Sequence, residues 1–274
     1  MFCHLESINV HDSTQWYGQD EITPEIGDNK GMEVLSLNKQ GITACVKNSI
    51  KILRAGGIIL YPTDTVYGLG ADAFSNKAVG KIYKLKGRDE KKPIHAIVAD
   101  IKMIEKYAEV SDFARMLAKE FLPGPLTLIL KKKAAVKTGI GKGIRKIGFR
   151  IPNHKFCIAL VKKIGTPITT TSANKSGNKT ERTIKAILKQ LGVNNSYASV
   201  LPARRSLGAG GQKTAMREKS NIDLVIDAGN PPDGGEERLP STIVDLTGNE
   251  PVILREGVIS ASEIWNLLGT EFQD

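Results

Sequence analysis

Cysteine, aromatic residues and long apolar runs are all scarce in this chain, and each shortage removes a class of protein. The three cysteines, Cys3, Cys45 and Cys157, lie far apart with no Cys-x-x-Cys spacing, which argues against a disulfide framework and a structural zinc site and fits a reducing, cytoplasmic setting. No stretch approaches the roughly 20 apolar residues that a membrane-spanning helix needs; the longest, such as Gly57 to Tyr61, are strand-sized, so no membrane partner is expected. Aromatic residues make up 5% of the chain, with no interleaved series that would stack on the bases of RNA. The first thirty residues hold six acidic residues and no arginine, the reverse of an organelle presequence.

Acid is absent locally. From Phe121 to Thr180 there is no Asp or Glu against 13 Lys or Arg, leaving 26 basic and 29 acidic residues elsewhere. The whole excess behind the net charge of +10 therefore lies in one segment, which suits a polyphosphate or nucleic-acid site as well as a solvated basic face.

What is present is a chain of 274 residues with 41% hydrophobic residues, enough to bury one large core. Val46, Ile50 and Leu53 recur at helical spacing up to Gly56-Gly57, a strand follows over Gly57 to Tyr61, and Pro62 opens a loop running to Gly70. Ser75 caps a helix carrying Val79, Ile82 and Tyr83, and Ser111 caps another that closes at Pro123-Gly124. Strands are expected at Ile94 to Val98, Leu126 to Leu130, Ile147 to Ile151, Ile168 to Thr171, Leu224 to Ile226, Thr242 to Leu246 and Val252 to Leu254. Helices are expected from about Lys155, from Thr183 to Leu191, and from the Ser260/Glu263 capping-box spacing through Leu268. Strands and helices mix without a strict βαβ rhythm, so the fold class is α/β with a twisted mixed sheet and packed helices.

Residues 1–38 read as a flexible extension, with Met32 placed as a second possible start, and Cys3, His4 and His11 read as part of a disordered tail and not as metal ligands. Residues 39–272 form one domain. Gly192 to Asn221 lacks periodicity and reads as a mobile insertion; within it Gly208 to Thr214 imitates a phosphate-binding loop, but Gln212 stands where glycine must precede the lysine.

Five polar clusters fall at the ends of strands and helices: Thr63-Asp64-Thr65; Lys86-Gly87-Arg88 with Lys91 and Lys92; Arg150; Thr169 through Gly177; and Ser241-Thr242 with Arg255-Glu256-Gly257. Each alone reads as readily as a cap or a solvated cation. Together they supply hydroxyls, an amide and at least four cations without paired carboxylates or a Ser-His-Asp spacing, which suits anion binding and not hydrolysis.

In this order the clusters are similar to the YrdC-like threonylcarbamoyl-AMP synthases, from about Lys39 to Leu268. Tyr61-Pro-Thr-Asp-Thr-Val-Tyr-Gly-Leu-Gly70 resembles the family's first strand and loop, Lys86-Gly-Arg88 its Lys-x-Arg motif and Ser172-Ala-Asn174 its Ser-x-Asn motif. Leu122 to Thr127, Gly148 to Pro152, Ser241 to Asp245 and Leu254 to Gly257 match as well. The resemblance implies a single domain with a large basic cavity and a nucleotidyltransferase reaction. L-threonine, bicarbonate or CO2 and ATP, with Mg²⁺ on the phosphates and no tight protein metal site, would give L-threonylcarbamoyladenylate and pyrophosphate. A downstream transferase would use the product to modify tRNA to N6-threonylcarbamoyladenosine.

By the same carry-over Thr65, Arg150, Thr170 and Ser241 would hold threonine. Lys86, Arg88, Lys92, Lys146, Ser172, Asn174, Thr180 and Arg255 would hold ATP, with Lys86, Arg88, Ser172 and Asn174 carrying the catalysis. The Lys-rich segment 131–146 is the expected lid. Many members place a histidine four residues after the proline that follows Lys-x-Arg; Ile97 stands there and His95 comes two residues earlier. Lys92 replaces an asparagine, and the chain ends soon after Arg255, where longer members continue. An RNA-binding module and a catalytically divergent relative of the same fold are the alternative readings.

Overall fold

The structure, a computed structural model, describes residues 32–193, 222–229 and 239–270. The strands are β1 (Glu33–Ser36), β2 (Ile59–Tyr61), β3 (Gly68–Gly70), β4 (His95–Ile97), β5 (Leu126–Lys131), β6 (Lys146–Arg150), β7 (Ile168–Ser172), β8 (Leu224–Asp227), β9 (Thr242–Asp245) and β10 (Val252–Arg255). The helices are α1 (Leu37–Arg54), α2 (Asn76–Lys86), α3 (Ile101–Tyr107), α4 (Asp112–Phe121), α5 (Lys155–Ile164), α6 (Ile184–Leu191) and α7 (Ala261–Thr270). The strands form one mixed sheet in the order β1-β8-β2-β3-β7-β4-β6-β5-β9-β10.

Local signals account for most boundaries. The hydroxyls of Ser75, Ser111 and Thr183 accept from Ala78 N, Ala114 N and Ala186 N, closing the first turns of α2, α4 and α6. Ser260 and Glu263 exchange their bonds as a capping box, Glu263 N donating to Ser260 Oγ at 3.2 Å and Ser260 N to Glu263 Oε2 at 2.8 Å.

Three elements go beyond the sequence expectation. β1 pairs in parallel with β8, so the sheet begins at Glu33, ahead of the domain start expected at residue 39. α3 has seven residues, too few for a helical period, and is started by Asp100, whose carboxylate accepts from Met103 N at 2.8 Å. β3 lies inside the expected loop: two of its three residues are glycines, which carry no strand signal. The Tyr61 ring lies across both, so that a Cβ at Gly68 or Gly70 would stand 3.2 or 2.8 Å from its carbons.

Because successive strand residues point to opposite sides, the sheet has two unlike faces. On one face the cross-strand pairs run from Leu60 to Leu69, across β7 through Thr171 and Thr169, and on through Ala96, Phe149, Leu128 and Val244, the six apolar residues all fully buried. Each large side chain there contributes about 1.5–3 kcal/mol to folding. The opposite face carries Thr170 and Ser172 from β7, His95 from β4, Lys146, Gly148 and Arg150 from β6 and Arg255 from β10. That face also carries buried Ile59, Tyr61, Ile97 and Ile168, so its polar groups are set beside apolar ones.

Candidate active site

Lys86 is the last residue of α2 and 2% exposed. Gly87 follows in the left-handed region with φ 58°, a turn that glycine makes without a Cβ penalty. That turn sends Lys86 inward and Arg88 outward. The Lys86 ammonium donates to Ser172 O, to Asn174 O at 2.7 Å and to Asn174 Oδ1 at 3.0 Å, using all three of its hydrogens. Ser172 Oγ donates to Asn174 Oδ1 at 2.6 Å, Asn174 Nδ2 donates to Asn178 O, and Lys175 Nζ and Ser176 N donate to Leu85 O and Lys86 O at the end of α2. The Lys-x-Arg and Ser-x-Asn motifs, 86 residues apart in sequence, are thus one laced unit. Burial, with the Arg88 charge second, pushes Lys86 down to about 7.

Arg150 is 5% exposed, so it is not a surface cation. Its Nε donates to Gly124 O at 3.0 Å, Nη1 to Thr65 Oγ1 at 2.8 Å and Nη2 to Asp64 Oδ1 at 2.6 Å. Thr63 and Thr65 share a 3.1 Å hydroxyl contact beneath it. Two of the five guanidinium hydrogens remain for a ligand. Asp64 belongs to the loop motif but is not given a ligand by the resemblance; its signal in the sequence is its place between two threonines at a strand end.

Ser241 bonds Thr127 across 2.9 Å, and the Arg255 guanidinium donates to Ser241 O from Nε at 3.1 Å and Nη2 at 2.7 Å. Thr127 is a further residue the expectation lacked. Burial lowers the Arg255 pKa, and the neighbouring Arg150 charge lowers it again. Arg88 donates to Lys92 O and Pro93 O, both at 3.0 Å, so Lys92 meets Arg88 through its backbone while its side chain is exposed. Lys146 pairs with Asp245 instead of standing unpaired; burial pulls that carboxylate up, but Lys146 and Thr247 outweigh it and hold it low. No hydrogen bond ties Thr180 to these groups among the described residues.

The expected lid is anchored. Gly139 N donates to Asn76 Oδ1 at 2.8 Å, Ile140 N to Ala73 O at 2.8 Å and Lys133 N to Tyr107 O at 2.9 Å. A Cβ at Gly139 would stand 2.0 Å from Ala73 O. The segment is docked against the start of α2 by close backbone approach. The decoy loop at Gly208, the insertion from 194 to 221 and the Cys3, His4 and His11 trio lie outside the described residues.

Electrostatically the site is a set of cations that depress one another. Arg88 bears on Lys86, Arg150 on Arg255, and both Arg88 and Arg255 on His95, while Asp64 is paired with Arg150 through Oδ1. An anion bound here would relieve that repulsion as well as fill hydrogen bonds. Among the described residues no group of three His, Cys, Asp or Glu side chains is placed to hold a metal ion.

A family model named for Sua5, YciO and YrdC, and described as telomere recombination, matches residues 51–208. The chain belongs to the Sua5/YciO/YrdC family. It is 32% identical over 220 residues to the threonylcarbamoyl-AMP synthase of Pyrococcus abyssi, covering 79% of this chain but 55% of that protein. With the Mus musculus threonylcarbamoyl-AMP synthase the identity is 30% over 218 residues, covering 79% of this chain and 68% of the relative. The chain thus spans about half the length of the Pyrococcus relative. Among solved structures, P. abyssi Sua5 complexed with L-threonine superposes with a TM-score of 0.69 at 29% identity, over 88% of this chain and 61% of that one. Escherichia coli YciO superposes with a TM-score of 0.65 at 24% identity, over 86% and 100%, a likeness of fold. Every motif of the site from Thr63 to Asn178 falls within the matched family region.

Proposed function

We propose that this member of the Sua5/YciO/YrdC family is a threonylcarbamoyl-AMP synthase, a nucleotidyltransferase that uses L-threonine, bicarbonate or CO2 and ATP. The observation that carries the reading is the convergence of Lys86, Arg88, Arg150 and Arg255 about one sheet face, where, among the described residues, the carboxylates of Asp64 and Asp245 are each already paired with a cation. A site of that charge suits a triphosphate beside an amino-acid carboxylate. The names of the P. abyssi and mouse relatives and the threonine complex of P. abyssi Sua5 support the same substrates.

In this reading the threonine amine adds to CO2, losing protons to solvent as the carbamate forms. A carbamate oxygen then bonds to the α-phosphorus of ATP while the bond to the β-phosphate oxygen breaks and pyrophosphate leaves. No protein nucleophile is needed; the chain's task is to hold two anions in line and offset the charge that grows on the phosphates. Arg88 and Arg255 would meet the phosphates. Arg150 would offer its two remaining hydrogens to the threonine carboxylate, with Thr65, Thr170 and Ser241 around it. Lys86 would act through the Ser172–Asn178 loop that it holds. Mg²⁺ would enter with ATP, bound by phosphate oxygens and water as that ion prefers.

The product, a mixed anhydride, would pass to a transferase that modifies tRNA. Pyrophosphate release from the full chain is expected to require threonine, bicarbonate and ATP together. Release that ignores threonine, or tight RNA binding with no release, would overturn the reading.

A further inference from the structure

His95 lies opposite Thr170, which the resemblance gives to threonine, and within electrostatic reach of Arg88 and Arg255, which it gives to ATP. In β4 it lies directly opposite Thr170 of β7, and its ring lies over Gly148 of β6, where any Cβ would stand 2.5 Å from the ring's Cδ2. The absence of a side chain at Gly148 is what makes room for the imidazole. Ile97 shares the face but is fully buried opposite Ile168, so His95 supplies the polar atoms of β4 there. The residue as a whole is half-buried, and no hydrogen bond to its ring is formed among the described residues.

Burial first, then the charges of Arg255 and Arg88, hold the imidazole down to about 4, so near neutral pH the ring is uncharged, with one nitrogen an N–H donor and the other a free acceptor. The charged groups that bear on it are both cations. That matters for a zwitterionic substrate. A carboxylate or phosphate is welcome everywhere in this site, whereas an ammonium or amine meets lysine and arginine on most sides and needs an acceptor.

We propose that His95 binds the amine of threonine, its unprotonated ring nitrogen accepting a hydrogen bond beside Thr170 and holding the nitrogen toward the phosphates at Arg88 and Arg255. The inference rests on the threonylcarbamoyl-AMP synthase reading and assigns a substrate atom to a residue at a position of this chain's own. No proton is kept by the ring; the role is to bind and aim.

The test is calorimetric binding of threonine, of its analogue with a hydroxyl in place of the amine, and of a non-hydrolysable ATP analogue, to the full chain. His95→Leu is expected to weaken threonine about tenfold or more, the size of a lost hydrogen bond to a charged group, and to leave the amine-free analogue and the ATP analogue within threefold. His95→Asn, which keeps an acceptor, is expected to retain threonine within threefold. Gly148→Ala pushes the ring aside without removing it and is expected to weaken threonine as well; it serves if His95→Leu fails to fold. Equal losses for threonine and its amine-free analogue, or no loss, overturn the inference. A wild type that releases pyrophosphate with threonine while its His95→Leu variant binds threonine normally overturns the inference alone. A wild type that binds threonine through His95 but never turns over overturns the synthase reading alone, and one that binds no threonine overturns both.

Discussion

Arg150 Nη2 stands 2.6 Å from Asp64 Oδ1 with the two side chains 6% and 13% exposed, while Asp64 Oδ2 is buried without a hydrogen-bond partner among the described residues. This is an ion pair largely withdrawn from water, and its geometry joins the loop after β2 to the end of β6. Removing one partner of such a pair leaves the other as an uncompensated buried charge, at about 3–5 kcal/mol. Asp64→Ala is therefore expected to lower the urea unfolding free energy by about that amount. A loss below about 1 kcal/mol, the range of exposed pairs, would mean that water reaches Arg150.

Threonine selectivity is expected to depend on the fork of Arg150 and on the hydroxyls of Thr65, Thr170 and Ser241. Arg150→Lys keeps the charge but not the planar donors, and is expected to raise KM for threonine at least tenfold with KM for ATP within about threefold. Serine, which lacks only a methyl, should be rejected by roughly 10 to 200-fold, and valine, which lacks the hydroxyl, by factors on the order of 10⁴. Equal turnover of serine and valine would contradict a polar threonine site.

Lys86 links folding to pH. The folded chain releases its proton near 7, the unfolded chain near 10.5. Between those values the unfolded state holds more protons, so the stability contributed by this group rises with pH across that window. Compared with Lys86→Met, the wild type is expected to gain on the order of 1–3 kcal/mol between pH 7.5 and 9.5, read from urea midpoints of both proteins. Parallel curves would show that Lys86 keeps its proton to ordinary lysine values.

Asn174→Ala and Arg88→Ala separate holding from charge. Asn174 accepts from Lys86 and Ser172 and donates to Asn178, so its atoms are spent inside the loop and its loss is expected to cost both stability, by about 1–3 kcal/mol, and turnover. Among the described residues Arg88 bonds two backbone carbonyls of its own loop. Its removal is expected to leave the unfolding midpoint near wild type while raising the barrier by about 3 kcal/mol, measured as kcat. Near-normal turnover in Arg88→Ala would remove it from the phosphate site.

The capping residues Ser75, Ser111, Thr183 and the Ser260/Glu263 pair act within four residues of themselves, so the sequence alone determined where those helices begin. It also determined the cationic character of the site, because Lys86, Arg88, Arg150 and Arg255 fall at recognisable strand and helix ends. β3 is not legible locally because its glycines carry no pattern; only the Tyr61 ring lying across them shows what they are for. The partners were likewise beyond any local rule. That Lys86 spends its hydrogens on Ser172 and Asn174, that Arg150 is taken up by Asp64, and that His95 lies over Gly148 follow from strand order and register. These bring together residues some fifty to ninety positions apart, and which face of a strand meets which is a property of the assembled sheet, not of the residues along the chain.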